Sequence, residues 1–211
     1  MASQEGLIRT LRAADIRDRC VLDAFRTVPR DRFVPPEWRW RAYEDVPLPI
    51  PHGQVTTQPS LVARILEGLE LRGSARVLEI GTGLGFQTAL LAALACEVWS
   101  VERWDDMADT ARANLAAAGI ANAHIVEGDG SRGLAERSPF DAIVVAAAFP
   151  AVPPPLGDQL ALGGRLVQPI GPGGREHVTV FVKGGGRLVR KEVLTGAHFV
   201  RLIGQHGFDG G

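Results

Sequence analysis

The chain has 211 residues, of which 45% are hydrophobic, 22% are charged and only two are cysteines. This length and composition suffice for one domain with a sizeable core, without help from disulfides or metal. The formal net charge of −1, with dispersed basic residues, gives no electrostatic basis for binding DNA or RNA. Because no apolar run approaches about 20 residues and no signal-peptide pattern is present, we expect a cytoplasmic monomer that binds neither nucleic acid nor membrane.

Neither a disulfide nor a metal site is predicted. Cys20 and Cys96 lie far apart in sequence, and Cys96 closes the apolar run ALLAALAC, so both are expected to be buried free thiols in a reducing compartment. The five histidines, at positions 52, 124, 177, 198 and 206, have no metal-ligand spacing.

The first third of the chain predicts helices around a proline-rich loop. Residues 5 to 28 carry apolar side chains at helical spacing among arginines and aspartates, which indicates an amphipathic helical region. Residues 29 to 59 contain seven prolines and little periodicity, which favours an ordered loop whose aromatic side chains pack on the rest of the fold. A helix is then expected from Ser60 to about Leu71.

From residue 76 onward, strand and helix patterns alternate. Strands are predicted near 76–80, 97–102, 123–127, 140–146 and 164–170, and helices near 85–95, 104–118 and 155–162. This alternation predicts a single α/β domain with a doubly wound, mostly parallel, Rossmann-like sheet. Two further strands, 177–183 and 187–194, are separated by three glycines and predict a C-terminal antiparallel hairpin. The domain thus divides into 1–75, 76–171 and 172–211.

The segment VLEIGTGLGFQ, from Val77 to Gln87, predicts a strand, a tight glycine turn and a helix that together hold a nucleotide. Gly81 and Gly83 permit positive φ and close approach of the backbone to a ligand. The third glycine, Gly85, stands one position too early for the dinucleotide fingerprint, and bulky Phe86 follows it. Because Glu79 adds a carboxylate, the turn suits the ammonium and sulfonium of S-adenosylmethionine better than a pyrophosphate.

Two later strand ends also finish in an acid. Glu102 closes EVWSVE about twenty residues downstream, where an acid accepts hydrogen bonds from both ribose hydroxyls. Asp129, between two glycines in HIVEGDG, is expected to reach an adenine amino group. An acid or a glycine turn at three successive strand ends is a much more specific signal than the same feature at a single strand end.

These residues resemble a known family. VLEIGTGLGFQTALLA, SVE, GDG, PFDAIVVAAA and QLALGGRLVQPIG are similar to the class I methyltransferases. The upstream segments RDRFVP, YEDVPLPI and GQVTTQPSLVARIL narrow the resemblance to the protein-L-isoaspartate O-methyltransferases. The resemblance implies methyl transfer from S-adenosylmethionine, which leaves S-adenosylhomocysteine, to the free α-carboxylate of L-isoaspartyl residues in damaged proteins and peptides. The methyl ester then closes to a succinimide, which starts repair.

The same resemblance extends the predicted site. Thr57 stands where the family usually has a serine that contacts the reacting carboxylate, and the family's common loop GQTISQP is here GQVTTQP. Turn hydrogen bonding to the backbone is the alternative role for both threonines. The predicted cofactor-binding residues are Gln54, Val55, Thr56, Glu79, Gly81, Thr82, Gly83, Gly85, Glu102, Arg103, Asp129 and Gly130.

The predicted substrate-binding residues are Thr57, Val200, Arg201 and Leu202. Arg201 departs from the family's usual FVPL, and it could pair with a substrate carboxylate or be a solvated cation at a strand edge. Two other functions stay open: methylation of aspartate in one dedicated biosynthetic peptide, and cofactor binding without catalysis.

Overall fold

The fold begins with two helices in the computed structural model, which describes residues 3–209. They are α1 (Gln4–Ala13) and α2 (Arg19–Thr27), so the amphipathic region predicted over 5–28 is divided. Asp15, at φ 67°, lies in the turn between the two helices, and Asp18 restarts the helix by accepting a hydrogen bond from the backbone N–H of Cys20 at 2.7 Å.

The proline-rich segment contains a small hairpin that the sequence analysis missed. Strand β1 (Leu48–Ile50) pairs antiparallel with β2 (Gln54–Thr56), and helix α3 (Pro59–Leu69) follows. Pro49 pairs with Val55 within this hairpin, although proline cannot donate a ladder hydrogen bond. Two-stranded hairpins are marginal alone, so packing against the rest of the protein decides this one and local sequence does not.

The main sheet has seven strands: β3 (Arg76–Ile80), β4 (Glu97–Glu102), β5 (Ala123–Glu127), β6 (Phe140–Val145), β7 (Leu160–Ile170), β8 (Glu176–Gly184) and β9 (Arg187–Ala197). Their order is β5-β4-β3-β6-β7-β8-β9. The first five pair in parallel, β8 pairs antiparallel with β7, and β9 pairs antiparallel with β8. The doubly wound α/β fold and the C-terminal hairpin are therefore confirmed.

The remaining helices are α4 (Phe86–Leu94), α5 (Asp105–Ala117) and α6 (Pro154–Gln159). The predicted helix over 155–162 is too long, because the chain extends into β7 from Leu160. The register between β6 and β7 shifts after the pair Phe140 and Leu160, and Gly163 takes φ 79°. A bulge at the glycine pair thus lets the strand begin before residue 164, where the sequence pattern starts.

Both faces of the central strands are buried, as parallel sheets require. One core cluster joins the sheet to α1, α2, α3 and α4, with Phe25, Leu66 and Leu90 almost inaccessible. A second cluster covers the other face around Phe140 and Leu156. This packing fixes the strands on both faces. The carboxyl ends of β3, β4 and β6 then lie together at one end of the sheet, where the strand order reverses.

Both cysteines are exposed, so the predicted burial of the thiols is wrong. Cys20 occupies the first turn of α2, and α4 ends at Leu94, which leaves Cys96 in the turn before β4. Both are free thiols. Among residues 3–209, no helix is long and apolar enough to cross a membrane.

Candidate cofactor and substrate site

A cavity open to solvent lies at the carboxyl ends of β3, β4 and β6. Gly81, Thr82 and Gly83 of the glycine turn line it, as does Ala146 just after β6. Backbone hydrogen bonds fix this edge, since Gly81 N–H donates to the Val101 carbonyl at 2.9 Å. The cavity therefore occupies the position at which doubly wound sheets bind nucleotides.

The glycine turn needs its glycines for different reasons. Gly83 takes φ 56°, and a Cβ there would lie 3.3 Å from Ile50 Cδ1 on the hairpin. Gly85 takes φ 94° but lies outside the cavity lining, packed on Ala111 of α5. Gly85 thus brings α4 close to α5, whereas Gly83 keeps the floor of the cavity open.

Glu102 lies in the cavity wall, where the sequence analysis expected it. It is 4% exposed, and its carboxylate accepts hydrogen bonds from the backbone N–H of Gly83 at 2.9 Å and of Arg103 at 2.8 Å. These bonds orient the side chain and brace the glycine turn. Each carboxylate oxygen retains acceptor capacity, so Glu102 can also accept hydroxyl donors from a ligand.

Glu79 lies behind the cavity and does not line it, contrary to the expectation of a cofactor contact. It is fully buried, and Gln87, Thr88 and Ser100 donate hydrogen bonds to its carboxylate. Burial raises the pKa of Glu79 to about 7, although these three hydrogen bonds lower it. Since Gln87 does line the cavity, Glu79 acts on the site by holding that side chain.

Asp129 also lies outside the cavity lining. Its carboxylate accepts hydrogen bonds from Ser131 N–H at 2.9 Å and from Gln205 N–H at 2.7 Å. Burial raises the pKa of Asp129, but these bonds outweigh it and hold the pKa below the usual range. Asp129 therefore anchors the C-terminal tail, and its neighbour Gly130 lines the cavity instead.

The hairpin supplies another wall of the cavity. Gln54, Val55, Thr56 and Thr57 all line it, and Val55 is 48% exposed. The hydroxyl of Thr56 accepts a hydrogen bond from Arg30 at 2.7 Å. The role of this hydroxyl is therefore not limited to bonding the backbone of the turn or contacting a ligand. Thr57 follows directly after the hairpin and lies between the cavity and a second open space.

That second space is a groove that adjoins the cavity. Val55, Thr57, Ala146 and Val200 line both spaces. The groove runs between the first turns of α3 and residues 195–199, at the end of the edge strand β9. A small ligand in the cavity and an extended chain in the groove would therefore meet beside Thr57.

The segment after β9 closes the site. Val200, Arg201 and Leu202 line the cavity, and Ala148 fixes the segment because its N–H donates to the Val200 carbonyl at 2.7 Å. The Arg201 guanidinium lies 5.0 Å over the ring of Phe208. This stacking favours the strand-edge role of Arg201 over a carboxylate pair.

Sequence reasoning missed an apolar part of the cavity wall formed by Ile50, Leu84, Trp104 and Met107. His52, at the tip of the hairpin, stacks on Trp104. Trp104 follows directly after Glu102 and Arg103, so its position beside a predicted acid is the signal that could have identified it. The pairing with His52 depends on the hairpin, which no pattern in the sequence predicts.

The parallel strand order, the glycine turn and Glu102 at the next strand end together match the fold and cofactor site of the class I methyltransferases. The model of the family described as protein-L-isoaspartate(D-aspartate) O-methyltransferase matches residues 2–207. The chain belongs to this family.

Relatives in the family match nearly the whole chain. A protein-L-isoaspartate O-methyltransferase of Methanoculleus marisnigri is 52% identical over 200 residues, which cover 95% of this chain and 90% of the relative. One from Anaeromyxobacter dehalogenans strain 2CP-C is 56% identical over 189 residues, covering 89% and 90%.

Solved structures agree with the fold. A protein-L-isoaspartate O-methyltransferase superposes with a TM-score of 0.85 at 30% identity, covering 97% of this chain and 67% of that one. A structure from Plasmodium falciparum, described as a beta-aspartate methyltransferase in complex with S-adenosyl-L-homocysteine, gives a TM-score of 0.85 at 24% identity, covering 96% and 99%. At that identity, the second comparison supports the shared fold.

Proposed function

We propose that this chain transfers the methyl group of S-adenosylmethionine to the free α-carboxylate of L-isoaspartyl residues in damaged proteins and peptides. Membership of the family supports the reaction. The observation that carries the proposal for this chain is the junction of cavity and groove beside Thr57, which both spaces share. Two substrates of different size, one nucleoside and one peptide, require such a junction.

The described residues fit the cofactor. Gly81 and Gly83 leave the cavity floor without side chains, Glu102 offers carboxylate oxygens for the ribose hydroxyls, and Trp104 and Met107 give an apolar wall for a flat base. S-adenosylmethionine supplies an electrophilic methyl group when bound. Arg103 and Gly130 line the same cavity and complete the proposed contacts.

The chain needs to orient its substrate more than to activate it. A carboxylate is ionised at neutral pH, because its pKa is about 4, so no general base is required. We assign to the Thr57 hydroxyl a hydrogen bond to the reacting carboxylate, and Val200 and Leu202 line the same cavity. Catalysis then depends on proximity and on preorganised polar groups. Ring closure of the ester to a succinimide follows without the enzyme.

The test uses isotopically labelled S-adenosylmethionine with matched peptides that contain isoaspartate or aspartate at one position. Methyl ester on the isoaspartyl peptide alone is the expected result. Ester on the aspartyl peptide would favour the dedicated-peptide alternative. Cofactor binding without transfer to either peptide would contradict the repair function and favour a dedicated peptide or a binding role without catalysis. The monomeric state and the cytoplasmic location stay predictions, and light scattering measures the first.

A further inference from the structure

Arg30 is a fully buried arginine at the centre of the segment that carries the hairpin. Its Nη1 donates hydrogen bonds to the carbonyls of Ala42 and Glu44, both at 3.1 Å, and its Nη2 donates to the Val46 carbonyl at 3.0 Å. These three acceptors are spread over the chain just before β1. One guanidinium therefore fixes the path by which the chain enters the hairpin.

The same guanidinium also holds the exit of the hairpin. Arg30 Nη2 donates to the Thr56 hydroxyl at 2.7 Å and to the Thr57 carbonyl at 3.3 Å. The plane of the group lies near the ring of Phe86, with 5.6 Å between Cζ and the ring centroid, and Phe86 lines the cofactor cavity. Arg30 thus connects the hairpin to a residue that lines the cavity.

A buried cation is costly unless polar groups replace its hydration. Burial lowers the pKa of Arg30 to about 10, while the charge of Asp45 raises it, so the group stays charged at neutral pH. Its Nε has no hydrogen-bond partner within the described residues. The four N–H groups of the terminal nitrogens, shared among five acceptors, therefore supply the hydrogen bonds that replace the hydration of the charge. The hairpin conformation that solvates the cation is the conformation that places Thr57 at the junction.

We propose that Arg30 is a positioning residue for methyl transfer, and that it holds Thr57 through a short hydrogen bond to the Thr56 hydroxyl and a longer one to the Thr57 carbonyl. The inference rests on the proposed function, because it assigns Thr57 to the reacting carboxylate. Thr56 is one of the three positions at which the loop departs from the common GQTISQP form, which has isoleucine there. In this chain, the hydroxyl gives the guanidinium an acceptor that an aliphatic side chain lacks.

Thr56→Val tests the link without removing the buried charge, because valine has nearly the shape of threonine. We expect kcat for an isoaspartyl peptide to fall about tenfold, while the Kd of S-adenosylhomocysteine changes less than about twofold. Thr56→Ser keeps the hydroxyl and should recover most of the lost kcat. Arg30→Lys should lower kcat further, since an ammonium cannot reach all five acceptors. Arg32→Lys, at an exposed neighbouring arginine, is the control and should match the wild type.

Hydrogen exchange of the amides in residues 53–58 gives a readout that does not depend on activity. Thr56→Val should exchange faster there than the wild type, and Thr56→Ser should not. Wild-type kcat and exchange in Thr56→Val would overturn the inference, as would weaker S-adenosylhomocysteine binding with unchanged kcat. If the wild type methylates no isoaspartyl peptide, the proposed function fails, and the exchange data still decide whether Arg30 and Thr56 order the loop.

Discussion

The imidazole of His52 stacks on the indole of Trp104, with ring centroids 3.9 Å apart and an interplanar angle of 3°. His52 belongs to the turn of the hairpin, and Trp104 lies in the cavity wall directly before α5. His52 Nε2 also lies 2.8 Å from a carboxylate oxygen of Asp106 in the first turn of α5. These two contacts therefore attach the tip of the hairpin to the wall of the cofactor cavity that Trp104 forms.

Removing this contact should weaken cofactor binding. We expect His52→Ala to raise the Kd of S-adenosylhomocysteine about two- to tenfold, because an aromatic pair contributes about 0.5–1.5 kcal/mol. Isothermal titration calorimetry measures the effect. His177→Ala, at an exposed histidine on β8 outside the cavity, is the control. Equal affinities of the two variants would show that the hairpin tip does not contribute to binding.

Gly83→Val should abolish cofactor binding while the protein still unfolds cooperatively. Gly83 combines φ 56° with a Cβ position 3.3 Å from Ile50 Cδ1, so a branched side chain fills the cavity floor. Gly119→Val separates strain from blockage, because Gly119 has φ 73° and no heavy atom within 4 Å of its Cβ position. Both variants lose stability by about 1–2 kcal/mol. Persistent binding by Gly83→Val would contradict the assignment of the glycine turn.

The Thr57 hydroxyl should affect the chemical step and not cofactor affinity. Thr57→Val removes one preorganised donor, for which we expect kcat to fall about 100-fold, whereas Thr57→Ser should retain most activity. Steady-state kinetics with an isoaspartyl peptide, together with the Kd of S-adenosylhomocysteine, separate the two effects. A valine variant with normal kcat would remove Thr57 from catalysis.

Glu79 should make stability fall as pH rises towards neutrality. Burial raises its pKa from 4.5 in the unfolded chain to about 7, so the native state binds this proton more tightly between these values. The stabilisation is complete below the unfolded pKa and is lost as pH rises through the native one. Urea unfolding at about pH 5 and about pH 8 should show this loss in the wild type and not in Glu79→Gln. The exposed Glu136→Gln should follow the wild type, and identical pH profiles for all three proteins would refute the assignment.

Arg201→Ala should leave both KM and kcat for an isoaspartyl peptide within about twofold of the wild type. The guanidinium lies over Phe208, and backbone hydrogen bonds to Ala148 hold its segment in place. A tenfold increase in KM would instead support the other role considered for Arg201, an ion pair with a carboxylate of the substrate. The melting temperature is the control, because loss of the stacking contact alone lowers stability slightly.

Local patterns were sufficient for the first three strands of the main sheet. The predicted bounds 76–80, 97–102 and 123–127 coincide with β3, β4 and β5, because each is a short run rich in apolar residues and bounded by turns. The hairpin was missed, since three prolines hide its alternation and its stability comes from the cavity wall. Cys96 closes an apolar run that predicts burial, but the helix ends two residues earlier at Leu94 and Cys96 is exposed.

Residue type and spacing alone determined the fold class, the glycine turn and the acid at Glu102, because each depends on neighbours within a strand and its following turn. Tertiary structure decided which acids face the cavity. Glu79 and Asp129 stand at strand ends like Glu102, yet one is turned into the core and the other binds a tail that arrives more than seventy residues later. Arg30 gained its role in the same way, from acceptors on a loop that folds around it, since burial and long-range hydrogen bonds are set only when distant segments pack together.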